Sequence, residues 1–297
     1  MSVLFELRDV AHQYPDGRSG LQACSMSLRR AGRHAILGPN GSGKTTLLQH
    51  LNGLLRPVAG AVYFDGAGID YGRRGLQAVR QQVGMVFQNP DRQLFSAHVY
   101  EDVSFGPLNL GLDEATVRQR VAQALEAVDM AAHADRPVHE LSFGQKKRVC
   151  IAGVLAMQPR ALLLDEPMAG LDMPMQTELA ALLDRLHAQG VTVVLSSHDM
   201  DFAYRWADDI HLMAAGRCVG SFAATALAQN TDALAAAAQP LPTAMRLHTA
   251  LAGRGVLPAH PLPRSVEDVL AALPPSGLGH TSTPLTVASP IAGKLAP

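Results

Sequence analysis

The segment Gly38-Pro39-Asn40-Gly41-Ser42-Gly43-Lys44-Thr45 sets glycines, a lysine and a hydroxyl at the spacing G-x-x-x-x-G-K-[ST]. Glycine lets the backbone approach an anion closely enough for several N–H groups to face phosphate oxygens. Lys44 adds a point charge for the β- and γ-phosphates, and the Thr45 hydroxyl suits Mg²⁺. Gly38, Asn40, Gly41, Ser42, Gly43, Lys44, Thr45 and Thr46 are therefore the candidate nucleotide-binding residues of this stretch. A plain glycine turn ahead of a core helix would account for the glycines but gives the lysine no role.

A second chemical signal is Asp165-Glu166, which follows the apolar run Leu162-Leu163-Leu164. Such a run reads as a buried strand, and ligands of α/β sheets gather at the carboxyl ends of strands. Asp165 can hold Mg²⁺ directly or through water, and Glu166 can reach an attacking water as general base. On its own the pair could equally open a solvated loop before Pro167; the phosphate loop favours the catalytic reading. A third signal is Leu141-Ser142-Phe143-Gly144-Gln145, followed by Lys146-Lys147-Arg148. Ser142 and Gln145 match a capping box. The same exposed helix N-terminus, with a hydroxyl and the Gly144 amide, also offers an anion site for a γ-phosphate held mainly by another subunit. Both readings hold together.

The elements that must position these groups follow from hydrophobic periodicity. Arg33-His34-Ala35-Ile36-Leu37 predicts a strand entering the phosphate loop, and a helix from near Gly43 is expected to carry Leu47, Leu48, Leu51, Leu54 and Leu55 on one face. Runs such as Leu4-Phe5-Glu6-Leu7-Arg8 and Ala61-Val62-Tyr63-Phe64 predict antiparallel strands. Asp113 caps a predicted helix striped by Val117, Val121, Leu125 and Val128, and Ser142 opens one running through Ile151, Val154 and Leu155. Ala161–Leu164 and Val191–Leu195 read as parallel strands joined by a crossover helix with Leu179, Leu182, Leu183 and Leu186 in register. The result is an α/β nucleotide-binding core. After about Ser221 the composition turns to Ala and Pro, which predicts a peripheral segment. Short helices are expected there after Pro242, with Met245, Leu247 and Leu251, and after the capping box Ser265-Val266-Glu267-Asp268, with Val269, Leu270 and Leu273.

The chain has 297 residues, 47% of them hydrophobic, enough for one large domain with an appendage. Its formal net charge of -1 gives no electrostatic footprint for nucleic acid. Cys24, Cys150 and Cys218 lack metal-ligand spacing and are expected to be reduced packing residues. The start of the sequence has no signal-like pattern, and no stretch is long and apolar enough to span a bilayer. Work at a membrane would require another polypeptide to supply the span.

Taken in order, the phosphate loop, Gln88 after Met85-Val86-Phe87, Leu141-Ser142-Phe143-Gly144-Gln145, Asp165-Glu166, Ala169-Gly170-Leu171-Asp172 and His198 after a strand resemble the ATP-binding cassette (ABC) ATPases. The resemblance covers roughly residues 3–220. It implies an α/β P-loop NTPase fold of the ABC type, with an antiparallel β subdomain and a helical subdomain, beside a small C-terminal helical extension. The expected boundaries are 1–222 for the ATPase domain with its helical subdomain at about 89–160, and, from composition, 223–273 for the extension and 274–297, rich in Pro, Ser, Thr and Gly, for a disordered tail.

The resemblance also implies roles. Tyr14 stacks on adenine. Gln88 senses Mg²⁺ and water and links them to a transmembrane partner. His198 contacts the γ-phosphate, and Asp172 lies across a dimer interface. With Lys44 and Glu166 these give Glu166, His198, Gln88 and Lys44 as catalytic groups, and Thr45, Gln88 and Asp165 around Mg²⁺. Ser142, Gly144, Gln145 and Asp172 serve the nucleotide of a second ATPase subunit, a copy or a paralogue. Singly, each has a plainer reading: Tyr14 a strand-edge aromatic, Gln88 a loop residue, Asp172 an N-cap, His198 a turn.

Phe87-Gln88-Asn89-Pro90-Asp91-Arg92-Gln93-Leu94-Phe95 and Glu101-Asp102-Val103-Ser104-Phe105-Gly106-Pro107-Leu108-Asn109-Leu110-Gly111 resemble the energy-coupling-factor group. These are importers that pair such subunits with a separate membrane scaffold and substrate-binding subunits. Gln145-Lys146-Lys147-Arg148 with Ile151–Met157 resembles its cobalt or nickel branch. A vitamin importer, and a soluble cassette acting on nucleic acid or ribosomes, are the alternatives. The implied place is the cytoplasmic face of the cell membrane, and the implied cofactors are ATP and Mg²⁺. A transported metal is expected on the membrane component, because the twelve histidines form no compact ligand set. Phe143 and Met168 depart from the family pattern, which has glycine and Thr or Ser there.

Overall fold

The computed structural model describes residues 2–274, so the tail expected at 274–297 falls outside the described residues from 275 onward. In chain order the elements are β1 (Val3–Gln13), β2 (Ser19–Arg29), β3 (Arg33–Leu37), α1 (Lys44–Leu51), β4 (Ala59–Phe64), β5 (Ala67–Gly68), α2 (Arg73–Gln82) and β6 (Val83–Val86). There follow α3 (Val99–Asn109), α4 (Glu114–Ala127), α5 (Phe143–Leu155), β7 (Ala161–Leu164), α6 (Met173–Ala188), β8 (Thr192–Ser197), α7 (Met200–Trp206), β9 (Asp209–Ala214) and β10 (Arg217–Ala223). The chain continues through α8 (Thr231–Ala236), α9 (Thr243–Ala252) and α10 (Val266–Ala271).

The strands build two sheets. One is antiparallel, in the order β2-β1-β4-β5; the other runs β10-β9-β3-β8-β7-β6. In the second sheet β3, β8, β7, β6 and β9 are parallel to their neighbours, and β10 returns antiparallel along β9. The crossover read from the leucine pattern is present: β7 pairs with β8, Leu162 opposite Val193, and α6 between them buries Leu179, Leu182, Leu183 and Leu186.

Side-chain alternation along β7 feeds two cores. Leu162 and Leu164 face one that includes Val117, Val121, Leu125 and Ile151 of α4 and α5. Leu163 faces the other, with Ile36, Leu47, Leu48, Leu51 and the antiparallel sheet. Asp113 accepts from the Thr116 amide at 3.0 Å and starts α4 as its position predicts.

Two expectations need correction. Helix α1 ends at Leu51 because Gly53 takes φ +69° just beyond the Asn52 cap, which turns the chain out of the helix. Leu54 and Leu55 therefore leave the stripe, and Leu54 is 42% exposed. The segment after Ser221 is less peripheral than its composition suggests: Leu227, Leu234, Ala237 and Met245 join the main core, while Ala244, Leu257 and Val269 form a small cluster of their own. The Asp201 carboxylate accepts from the Thr243 amide and hydroxyl, and Arg264 donates to the Tyr204 and Ala207 carbonyls, fastening the extension to α7. Leu247 and Leu270 point to solvent instead.

The topology fixes the site. In parallel register Leu37 lies opposite Ser197, and Val86 lies opposite Leu164. The carboxyl ends of β3, β8, β7 and β6 thus share one edge, and each releases its loop there: residues 38–43, His198, Asp165-Glu166 and Gln88.

Candidate nucleotide site

Helix α1 begins without a side-chain cap. Its first amides are left for an anion, and the helix dipole favours one. The loop wraps this end through Gly41 at φ +80° and Gly43 at φ +103°. At Gly43 a Cβ would stand 2.6 Å from the Gly20 carbonyl oxygen, so only glycine fits that approach. The Ser42 hydroxyl is buried with no hydrogen-bond partner in the protein.

Lys44 is 6% exposed; its ammonium donates to the Gly38 carbonyl at 2.8 Å and lies 3.4 Å from Glu166 Oε1. The Thr45 hydroxyl donates to Asp165 Oδ2 at 2.7 Å. On the other side of that carboxylate, Ser196 Oγ donates to Asp165 Oδ1 at 2.6 Å and accepts from the Glu166 amide at 2.8 Å. Glu166 Oε2 meets His198 Nδ1 at 2.9 Å.

An open cavity of about 910 Å³ is lined by Tyr14, Arg18, Ser19, Gly20, Asn40, Gly41, Ser42, Gly43, Lys44, Thr45, Thr46, Gln88, Glu166 and His198. Tyr14 stands at its rim. Its hydroxyl shares a hydrogen bond of 2.8 Å with Thr46 Oγ1, and the Arg18 guanidinium lies 5.7 Å from its ring centroid. The Tyr14 side chain thus borders the cavity with Arg18 over its ring and His12 packed edge-on against it, while its hydroxyl touches α1.

Ser142, Gly144, Gln145 and Asp172 do not line this cavity. Ser142 caps α5: Gln145 N donates to Ser142 Oγ at 3.3 Å, and Ser142 N to Gln145 Oε1 at 3.0 Å. Asp172 caps α6, accepting from the Met175 amide at 3.0 Å. The capping readings therefore describe what these side chains do within one chain.

Sequence reasoning missed Ser196. It lies at the end of an apolar strand, bonded to Asp165 and Glu166, and that place at the carboxyl edge was the signal available. Arg18 was missed as well, since nothing in its spacing points to Tyr14. Among the described residues no helix is long and apolar enough to cross a membrane, and no cluster of three or more His, Cys, Asp or Glu is arranged to hold a metal ion.

The profile of the ABC transporter family matches residues 21–169, from β2 through the phosphate loop to the loop after Glu166. An energy-coupling factor transporter ATP-binding protein, EcfA, of Methanothermobacter thermautotrophicus is 44% identical over 239 residues, 80% of this chain and 77% of that protein. The chain belongs to the ABC transporter family. Among solved structures, cbiO1 from Clostridium perfringens, part of the ABC transporter complex cbiONQ, shares 41% identity at a TM-score of 0.71 over 79% of this chain and 94% of that one. A dimeric ATP-binding cassette in a post-hydrolysis state, bound to ADP and Pi, shares 28% identity at a TM-score of 0.68 over 74% and 99%. The fold is that of an ABC cassette, and as an ABC ATPase the protein hydrolyses ATP to ADP and phosphate.

Proposed function

We propose that this ABC ATPase works as a head-to-tail pair of cassettes that close on ATP and power an energy-coupling-factor importer. The observation that carries the reading is a division. Lys44, Thr45, Asp165, Glu166 and His198 converge at one edge of the sheet, whereas Ser142, Gly144, Gln145 and Asp172 sit on other surfaces of the same chain. A second cassette, either another copy or a paralogue, brings its Ser142 hydroxyl and Gly144 amide to the γ-phosphate and its Asp172 to the seam. ATP then joins the two surfaces, and loss of the γ-phosphate lets them part.

Within the site, Lys44 leaves the Gly38 carbonyl for the phosphate oxygens, and Tyr14 stacks on adenine. Glu166 holds the attacking water and accepts its proton as the water oxygen bonds to the γ-phosphorus and the bond to ADP breaks. His198 orients the Glu166 carboxylate and approaches the γ-phosphate. Gln88, at the end of the β6 loop, touches the same cavity and leads toward the exposed Phe95 and Phe105, the side on which the membrane scaffold docks. The adjacent oxygens of Thr45 and Asp165, with Gln88 on the same cavity, would hold Mg²⁺, a cation that takes oxygen ligands from few side chains plus the nucleotide. When bound, Mg²⁺ neutralises charge on the phosphate oxygens.

The cargo we assign is cobalt or nickel ion, on the likeness of Gln145-Lys146-Lys147-Arg148 and the following helix to that branch. The cassette works peripherally at the cytoplasmic face of the membrane, and the substrate binds the membrane subunits. Glu166→Gln is the direct test of the chemistry: ATP binding persists while turnover falls at least about 100-fold. Near-normal hydrolysis by that variant rejects Glu166 as base. Uptake of labelled cobalt or nickel, measured against a vitamin in cells that express the complex, decides the cargo.

A further inference from the structure

Lys147 lies on the second turn of α5, where a solvated helix face would ordinarily keep a lysine in water. It is 3% exposed, and its ammonium donates to the Pro167 carbonyl at 2.7 Å and the Ala169 carbonyl at 2.6 Å. Both carbonyls belong to the loop that runs from Glu166 to Asp172. Charge-assisted bonds of this kind are the strong ones, and they replace the hydration that burial removes. Burial holds the Lys147 pKa near about 8, and the neighbouring Cys150 and Glu166 act in the opposite direction.

Phe143 stands four residues earlier on the same helix face. Its ring centroid is 5.2 Å from the Lys147 ammonium. The ring also presses on Gly170, where a Cβ would come within 3.0 Å of Phe143 Cε1 and the backbone holds φ +75°. Beside it, a Cβ on Gly144 would meet Met175 Sδ at 2.5 Å, so the start of α5 lies directly on the start of α6. The large residue at 143, unusual for the family, thus has a partner. It closes over the ammonium and over the one residue of the loop that has no side chain.

We propose that Lys147 and Phe143 are positioning residues that latch the N-terminus of α5 to the loop between Glu166 and Asp172, so that both move as one body when two cassettes close on ATP. The inference rests on the paired reading above. In that reading the Ser142–Gly144 end of α5 and the Asp172 loop both face the partner. Held together they are ordered once; separated, each would have to be ordered at closure, at its own entropic cost. Neither side chain lines the nucleotide cavity, so the latch acts on closure and not on the affinity of a single chain for ATP.

The test uses the full chain with Glu166→Gln, which blocks hydrolysis, and sedimentation in Mg-ATP. Adding Lys147→Met raises the protein concentration for half-dimerisation about tenfold, the effect of losing charged hydrogen bonds. Binding of a fluorescent ATP analogue by the monomer changes less than about twofold, a readout that general damage to the fold would move. Phe143→Ala, a partly exposed change that the fold tolerates, weakens dimerisation about threefold. If the parent dimerises and both variants match it, the latch is wrong and the pair stands. A fall in monomer ATP affinity parallel to the loss of dimer shows general structural damage and also overturns the latch. A parent that stays monomeric removes the seam itself, and the latch falls with it.

Discussion

Glu166 takes a left-handed backbone, φ 46°, and sets its carboxylate 2.9 Å from His198 Nδ1. In a continuing strand the residue after Asp165 would point to the opposite face. The left-handed turn breaks that alternation and brings the Glu166 carboxylate to the cavity, while Asp165 stays buried between Thr45 and Ser196, and the strain of such a turn is characteristic of working sites. His198→Ala frees the Glu166 carboxylate from its partner at the end of the neighbouring strand β8. Steady-state kinetics should show kcat reduced about 100-fold with ATP affinity nearly unchanged. A variant with full kcat would mean that His198 only completes a turn.

Ser196 holds the Asp165 carboxylate from the side opposite Thr45. Ser196→Ala removes the 2.6 Å bond to Asp165 Oδ1 and the acceptor of the Glu166 amide. The expected cost is about 1–3 kcal/mol in urea unfolding, because the amide is left without a partner. A raised Mg²⁺ requirement for hydrolysis should accompany it. Unchanged Mg²⁺ dependence would limit Ser196 to a structural role.

The Tyr14 side chain lines the cavity, and its hydroxyl is 2.8 Å from Thr46 Oγ1. Tyr14→Phe keeps the face and loses the bond, so KM for ATP and GTP should rise together, about fivefold, the scale of one hydrogen bond. Tyr14→Ala should in addition erase any preference between the two bases. If Phe and Ala behave alike, stacking contributes nothing.

Acid should destabilise the protein through buried histidines. Burial pushes His50 down to about 4 from 6.5, lowers His34, and holds His211 well below 6.5. An unfolded chain takes up these protons below pH 6.5, whereas folded His50 refuses its proton until about pH 4. Stability complete above pH 6.5 is therefore lost as pH falls toward 4, by about 3 kcal/mol for His50 alone. Denaturant melts between pH 7 and 4 should show this slope, and His50→Gln should flatten it. An equal slope in that variant would assign the effect elsewhere.

Much of the site could be read from sequence because its parts are local. The glycines and Lys44 lie within one loop, Asp165 and Glu166 follow one leucine run, and Ser142 precedes its own capping partner. What sequence did not disclose depends on distant pairing. Ser196 matters through residues 30 and 31 positions away, and Lys147 through a loop 20 to 22 positions on. The end of α1 escaped for a different reason: the leucine stripe continues past Leu51 while Gly53 stops the helix. The extension was undervalued because small residues such as Ala237 bury completely against a core that larger neighbours have already built.

Sedimentation of the Glu166→Gln chain with and without Mg-ATP, alone and beside its membrane companions, measures the central claim most directly. Two cassettes completing each other's sites predict a monomer that becomes a dimer when ATP is added and returns to monomer with ADP. A chain that binds ATP yet stays monomeric in every condition would contradict it.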